Sequence, residues 1–178
     1  MVEVTVARLG LDSSTNSYVV ILQEKGGLRL LPIWIGQAEA ESIATHMNQV
    51  KRERPMTHDL CRHLIVGLGA QLRRVQITRV QENTYYAELH LQQGEGAVQV
   101  DARPSDSIAI ALRLAAPIFV QESLLSMPSD DDDEARDTDD DAPQPDLAPA
   151  TDADALSAQQ LKAYLEQLRP EDFGKFKL

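Results

Sequence analysis

The sequence predicts an α+β fold: one compact domain of antiparallel or mixed sheets with three helices, then a disordered acidic linker and a short C-terminal helix. Three observations carry this prediction. Apolar and polar residues alternate over several short runs, as in half-buried strands, and apolar residues recur every three or four positions over other runs, as in helices. These runs do not follow one another in regular βαβ order, which argues against a doubly wound parallel sheet. Composition then changes sharply: residues 126–155 hold one basic and 12 acidic residues together with several prolines, too little apolar surface to support a core. The expected divisions are therefore 1–125 for the domain, 126–155 for the linker and 156–178 for a docking helix and tail.

The elements follow in order. Val2, Val4 and Val6 alternate with Glu3, Thr5 and Ala7, the pattern of a strand with one face buried. Tyr18 to Leu22 and Leu28 to Ile35 read as two more strands joined across Gly26-Gly27, so an antiparallel N-terminal sheet is expected. Gly36 breaks the third strand and a first helix begins near Gln37, with Ile43, Met47 and Val50 on one face. A second helix runs from about His58 to Leu68, where Leu60, Leu64 and Leu68 recur at i+4 and Gly69 is placed for a left-handed cap. Leu72 to Val80 and Tyr85 to Gln92 form a second hairpin, with Tyr85, Ala87, Leu89 and Leu91 on one face. Ala97 to Asp101 adds a strand leading into a third helix, Asp106 to Leu114, and Pro117 to Val120 is a last apolar strand. Beyond the linker, Ser157 and Gln160 make a capping box ahead of a stripe of Leu161, Tyr164, Leu165 and Leu168 that Arg169-Pro170 ends. So short a helix requires a surface to dock on, either the core or a neighbouring subunit.

At 178 residues one core is the default. The net charge of −11 is unevenly held, because residues 1–125 carry 12 basic and 13 acidic residues and are close to neutral. Cys61, the single cysteine, lies in an apolar helical run and reads as a small buried hydrophobe; no intrachain disulfide is possible. Trp34 reads as a core or interface anchor before a base-stacking platform. The N-terminus lacks a basic region followed by an apolar run, and no stretch approaches the length of a membrane span. A soluble cytoplasmic protein with no membrane partner is the expectation.

Two cassettes carry the chemistry: Arg54-Pro55-Met56-Thr57-His58-Asp59-Leu60 and Asp101-Ala102-Arg103-Pro104-Ser105-Asp106-Ser107-Ile108. Each sets an Arg-Pro pair ahead of a hydroxyl residue, an acid and an apolar helical run. Proline suits the start of a helix, and Thr57 and Ser105 are placed to cap the first turn. Cation, carboxylate and helix amides together suit phosphate chemistry, with Arg54 and Arg103 as phosphate forks beside Thr57 and Ser105. His58, at a helix start, suits a general base next to Asp59, and the alternative is a histidine that completes the cap or pairs with Asp101 or Asp106. The acids Glu39, Asp101 and Asp106 supply hard oxygen ligands of the kind that hold Mg²⁺ or Mn²⁺. Glu39 and Glu41 point to nearly opposite sides of a helix, so one of them faces the site, and Glu39 is the better candidate. Zinc is disfavoured for want of a Cys cluster or a helical His pair of the right spacing. An equally physical alternative has an Arg of each cassette clamping an Asp of the other, with no ligand involved. Lys51-Arg52, Arg73-Arg74 and Arg79 add only a modest basic patch, consistent with weak or transient contact with nucleic acid.

The run Leu31-Pro32-Ile33-Trp34-Ile35-Gly36, then Glu39-Ala40, then Arg54 to Asp59, then Asp101 to Ala109, resembles the bifunctional nuclease family of bacteria and plants over about residues 2 to 125. The resemblance implies a compact α+β domain that associates with copies of itself as a dimer or higher oligomer, and nuclease activity on both DNA and RNA. It assigns no catalytic residues, so His58, Asp59 and Asp106 enter as candidates from their own chemistry. The ending Pro170 to Phe176 is similar to a tail of some members, and the repair-protein-like helical hairpin that others carry there is lacking. Two functions follow: a metal-assisted phosphodiesterase without sequence preference, and a non-catalytic self-assembling binding module whose cassettes are structural clamps.

Overall fold

The computed structural model describes residues 1–12 and 17–128. The predicted linker beyond residue 128, the C-terminal helix and the tail lie outside the described residues. Strands β1 (Val2–Asp12), β2 (Ser17–Glu24) and β3 (Leu30–Ile35) precede helices α1 (Gln37–Met47) and α2 (Thr57–Gly67). Strands β4 (Ala70–Gln81), β5 (Thr84–Gln93) and β6 (Gly96–Ala102), helix α3 (Pro104–Leu114) and the short strand β7 (Ile118–Val120) complete the unit. The fold class is thus α+β.

The strands form one mixed sheet of seven, in the order β3-β2-β1-β7-β4-β5-β6. Both expected hairpin systems are present: β1–β2–β3 pair antiparallel with Val20 opposite Ile33 and Leu22 opposite Leu31, and β4 pairs antiparallel with β5. The β4–β5 turn is built on Glu82 and Asn83, both at positive φ, the backbone that a two-residue hairpin requires. What joins the two systems is β7, which runs antiparallel to β1 and parallel to β4.

Buried side chains from β1 to β5, β7, α1 and α3 make a single apolar cluster, with Val20, Leu22, Ile43, Val75, Ile77, Ile108 and Val120 at its centre. Helix α3 lies over β4 and β5 and packs against both α1 and α2. It is the most buried helix, whereas α2 has no fully buried residue.

Several local expectations are corrected. Helix α1 ends at Met47, and Val50 lies beyond it with its N–H on the carbonyl of Thr45 at 2.9 Å. The apolar stripe of α2 faces outward, with Leu60, Leu64 and Leu68 all more than half exposed. Neither Thr57 nor Ser105 caps its helix: the cap positions are Met56 and Arg103, both extended, with no side-chain cap bond. Pro55 precedes the α2 cap residue, while Pro104 is the first residue of α3, where its fixed φ and missing N–H cost nothing. Trp34 is exposed and donates its ring N–H to Asp12 at 3.2 Å, so it is no core anchor. Cys61 is partly buried against the core. Among the described residues no helix is long and apolar enough to cross a membrane.

Candidate active site

The first turns of α2 and α3 meet beside the buried face of α1, and a continuous chain of polar contacts runs through all three. At its outer end is Arg103, whose guanidinium is held by carboxylates of two elements. Its Nε donates to Asp106 Oδ2 at 2.7 Å and one terminal nitrogen to Asp106 Oδ1 at 3.1 Å. That same nitrogen is 2.8 Å from Glu39 Oε1. The other terminal nitrogen has no partner among the described residues, and the side chain is 65% exposed. The Glu39 carboxylate folds back over Gly36, at the start of α1, where a Cβ would force it to shift.

Asp106 sits in the first turn of α3, where the positive end of the helix dipole favours a carboxylate. Burial pushes its carboxyl up, but the hydrogen bonds and charges of Arg103 and His58 together outweigh burial and hold it below the ordinary carboxylate value. An ionised Asp106 makes His58 Nε2 a donor at 3.0 Å, and His58 Nδ1 then accepts from Ser42 Oγ at 2.7 Å. Ser42 in turn accepts from Arg113 at 3.2 Å on both its hydroxyl and its backbone carbonyl. Both ring nitrogens of His58 are therefore engaged inside the protein.

Arg113 ends the chain on the inner side. Its side chain is only 3% exposed, and it also donates to the Ala109 carbonyl at 3.0 Å and to Asp59 Oδ1 at 2.6 Å. Asp59 Oδ2 accepts the N–H of Met56 at 2.9 Å, which supplies the half of a capping box that a residue at this helix position can give. Burial pushes the Asp59 carboxyl up. Its bond to Arg113, its bond to the Met56 amide and the nearby charges of Arg113 and His63 outweigh burial and leave it low.

The structure thus brings Glu39, Arg103, Asp106 and His58 together and ties Asp59 to the same network from the far side. It does not bring in the remaining candidates. Arg54 is exposed and lines a separate basin at the other side of the α2 start. Asp101 is exposed on β6, Thr57 is exposed at the first position of α2, and Ser105 is buried. The anticipated clamp of one cassette's Arg on the other's Asp is not formed. The cassettes are linked through His58 and Asp106, while Arg103 stays with its own cassette and Glu39. Glu41, the other acid of α1, pairs instead with Arg52 at 2.9 Å.

Arg113 and Ser42 are the members that sequence reasoning missed. Their signal was spacing: Arg113 lies seven residues after Asp106 and Ser42 three after Glu39, which places each pair on one helix face. A lone arginine in the otherwise apolar run Ile108 to Leu114 marks the same position.

The acids expected to hold Mg²⁺ or Mn²⁺ do not fit an ion in this arrangement. A guanidinium stands between Glu39 and Asp106, and Asp101 is elsewhere. Among the described residues no group of three or more His, Cys, Asp or Glu side chains could hold a metal. The arrangement is instead a cation presented at the surface by two carboxylates, over an imidazole fixed by a buried relay. Anion binding with an ordered acid–imidazole pair beside it is what such a site can do chemically.

The bifunctional nuclease domain profile matches residues 20–131, which contain every member of this network. The chain belongs to that family. It is 39% identical to an uncharacterized protein of Mycobacterium tuberculosis (strain H37Rv), over 97% of this chain and 98% of that protein. It is similar to Bifunctional nuclease 2 of Arabidopsis thaliana, at 31% identity over 61% of this chain and 34% of the plant protein. With Bifunctional nuclease 1 of Oryza sativa subsp. japonica the identity is 28%, over 64% of this chain and 35% of the relative. The chain therefore spans about a third of the length of the plant nucleases it matches.

Proposed function

We infer that the protein is a nuclease that hydrolyses phosphodiester bonds of DNA and RNA without sequence preference. The observation that carries this reading is the exposed Arg103 fork set over Asp106 and Glu39, with His58 locking the orientation of Asp106. The likeness to plant proteins named as bifunctional nucleases supports it. In this reading the free terminal nitrogen of Arg103 donates to a non-bridging phosphate oxygen, and the negative charge that grows there as water attacks phosphorus strengthens the bond. The two carboxylates retain lone pairs with which to orient that water, and Glu39 takes its proton; as the new P–O bond forms, the bridging P–O bond breaks and the departing sugar oxygen takes a proton from solvent. His58 is a positioning residue here, because both its nitrogens are already engaged. Contact with nucleic acid is weak, since the domain carries no net cationic charge.

The test is cleavage of single-stranded and duplex DNA and RNA of mixed sequence, with Mg²⁺, with Mn²⁺ and with chelator. Asp106→Asn and Arg103→Lys are expected to lower the rate about a hundredfold or more, on the scale seen when one transition-state donor is removed. Equal cutting by wild type and Asp106→Asn would assign the activity to another site. A rate that survives chelation would make the reaction one of side chains alone, and a rate abolished by it would mean that Arg103 moves to admit an ion.

A second reading has its own supporting observation. Every hydrogen-bonding position of His58 and both oxygens of Asp59 are spent inside the network, as expected of a structural clamp in a self-assembling binding module. The outward apolar stripe of α2 and the edge of β6, the end strand of the sheet among the described residues, with Val98 and Val100 exposed, are the faces on which copies would associate. In that case cassette variants lose oligomer and stability in step with function, and size-exclusion chromatography with light scattering reads the change. A monomer at micromolar concentration would remove the oligomer from either reading.

A further inference from the structure

We propose that the basin between the end of α1, residues 48–56 and the first turns of α2 is a binding site for phosphate-bearing anions, separate from the Arg103 cluster. It has a volume of about 330 Å³, and its wall includes Arg52, Arg54, Arg62 and Arg113 with His46 and His63. The carboxylates of the wall are Glu53 and Asp59. Two of the four guanidiniums are already neutralised, Arg113 by Asp59 at 2.6 Å and Arg52 by Glu41 at 2.9 Å. Arg54 and Arg62 pair with no carboxylate among the described residues. Two free forks and two imidazoles therefore face one uncommitted acid, Glu53.

Concavity is what separates this cluster from a solvated basic surface. A cleft walled by one sign of charge focuses the field and concentrates counter-ions, which the same arginines spread over a convex face would not do. The excess is local, because residues 1–125 as a whole carry 12 basic and 13 acidic residues. The floor is rigid: Arg113 is fixed by four hydrogen bonds, and Thr45 is buried. Guanidinium presents paired donors that match phosphate oxygens, and the volume is at the small end of ligand pockets, suited to a phosphate group and not to a large apolar ligand. Asp59 lines the basin while His58, one residue earlier, faces Asp106, so the first turn of α2 divides this site from the one proposed for cleavage. The basin stands whether or not the Arg103 cluster cuts.

Two sources offer the same chemistry, the terminal phosphate of a nucleotide or strand and the backbone phosphates of a strand. The full chain is titrated calorimetrically at low salt with inorganic pyrophosphate, with a short 5′-phosphorylated single-stranded DNA and with the same DNA ending in a 5′-hydroxyl. The Arg54→Ser/Arg62→Ser double variant is expected to bind pyrophosphate at least about tenfold more weakly than wild type. Lys25→Ser, in the turn after β2 and well exposed, should bind as wild type does. Preference for the 5′-phosphorylated strand identifies terminal phosphates as the ligand; equal binding of both strands, displaced by pyrophosphate, identifies the backbone. Pyrophosphate binding that is equal in wild type and double variant, or reduced as much by Lys25→Ser, overturns the proposal. Pyrophosphate has no phosphodiester to cut, so this result is independent of the nuclease assay.

Discussion

Arg113 is the residue on which the polar network turns, and its burial sets the cost of losing it. Replacing it with Met would keep the volume of the stem but remove the charge that pairs with Asp59 and the bonds donated to the Ser42 hydroxyl, the Ser42 carbonyl and the Ala109 carbonyl. A buried hydrogen-bonded charge pair broken from one side typically costs several kcal/mol, and the partial exposure of Asp59 lowers that figure. A loss of about 2–4 kcal/mol in urea unfolding is expected; a loss below about 1 kcal/mol would mean that the helices are held by their apolar contacts alone. The acids of the network give a pH signature. Asp59 and Asp106 are both held below their ordinary value in the fold, so the stability they contribute is complete above the unfolded-state value, about pH 4. It is lost as pH falls through the folded values. Stability measured from neutral pH downward should therefore fall below about pH 4, and Asp59→Asn should flatten that acid limb. An unchanged limb in Asp59→Asn would place the acid sensitivity elsewhere. The sequence made the two carboxylates legible, because a carboxylate in a helix's first turn is a local pattern. Their partners were less so: Arg113 lies 54 positions from Asp59 and Ser42 16 from His58, and such pairing exists only once the helices have packed.

The helix ends test how far local backbone chemistry decides the elements. Gly69, just past α2, has φ +72, and a Cβ built there meets nothing within 4 Å. Substitution by Ala thus costs only the left-handed conformation, about 1 kcal/mol. Ala115, which caps α3, adopts the same region at φ 50 with a Cβ already in place. Ala115→Gly should raise stability by roughly 0.5 kcal/mol, the relief of strain being partly cancelled by the greater freedom of glycine when unfolded. Thermal or urea unfolding of the two variants checks the opposed signs, and a destabilised Ala115→Gly would show that the Ala115 methyl contributes through packing. Gly69 was readable as a cap because glycine after an apolar helical run has one common use; Ala115 carries no such mark. The stripe of α2 misled for a related reason. Spacing reports that Leu60, Leu64 and Leu68 share a face but not whether anything covers it, and here α3 and β4 meet the helix on its other side, at Cys61 and Ile65.

Both hairpin systems were legible because strand alternation and the turns between strands are local, yet their union in one sheet was not. The join is β7, three residues long, too short for a period of two to be distinguished from any apolar run. Its position follows from the core: Ile118 and Val120 are buried on the same face, and their backbone links β1 on one side to β4 on the other. The flanking bonds from Val75 N–H to the Pro117 carbonyl and from Gln121 N–H to the Ile77 carbonyl, both 2.9 Å, extend the parallel pairing beyond the strand itself. The Arg103 cluster depends on this join, because α1 follows the β3 edge of the sheet while α3 lies over β4 and β5, and Glu39 meets Arg103 only if both halves hold one register. Replacing Ile118 and Val120 together by Ala removes buried methyl groups from the seam without touching any polar contact. A loss of about 3–6 kcal/mol is expected for the pair, in a single unfolding transition followed equally by Trp34 fluorescence, on the β3 side, and by far-ultraviolet circular dichroism. Coincident curves establish the two halves as one cooperative unit. If the Trp34 signal instead separates from the dichroism, each hairpin system holds its own core and β7 is a tether, and the Glu39–Arg103 contact would then be broken at denaturant concentrations where the helices persist.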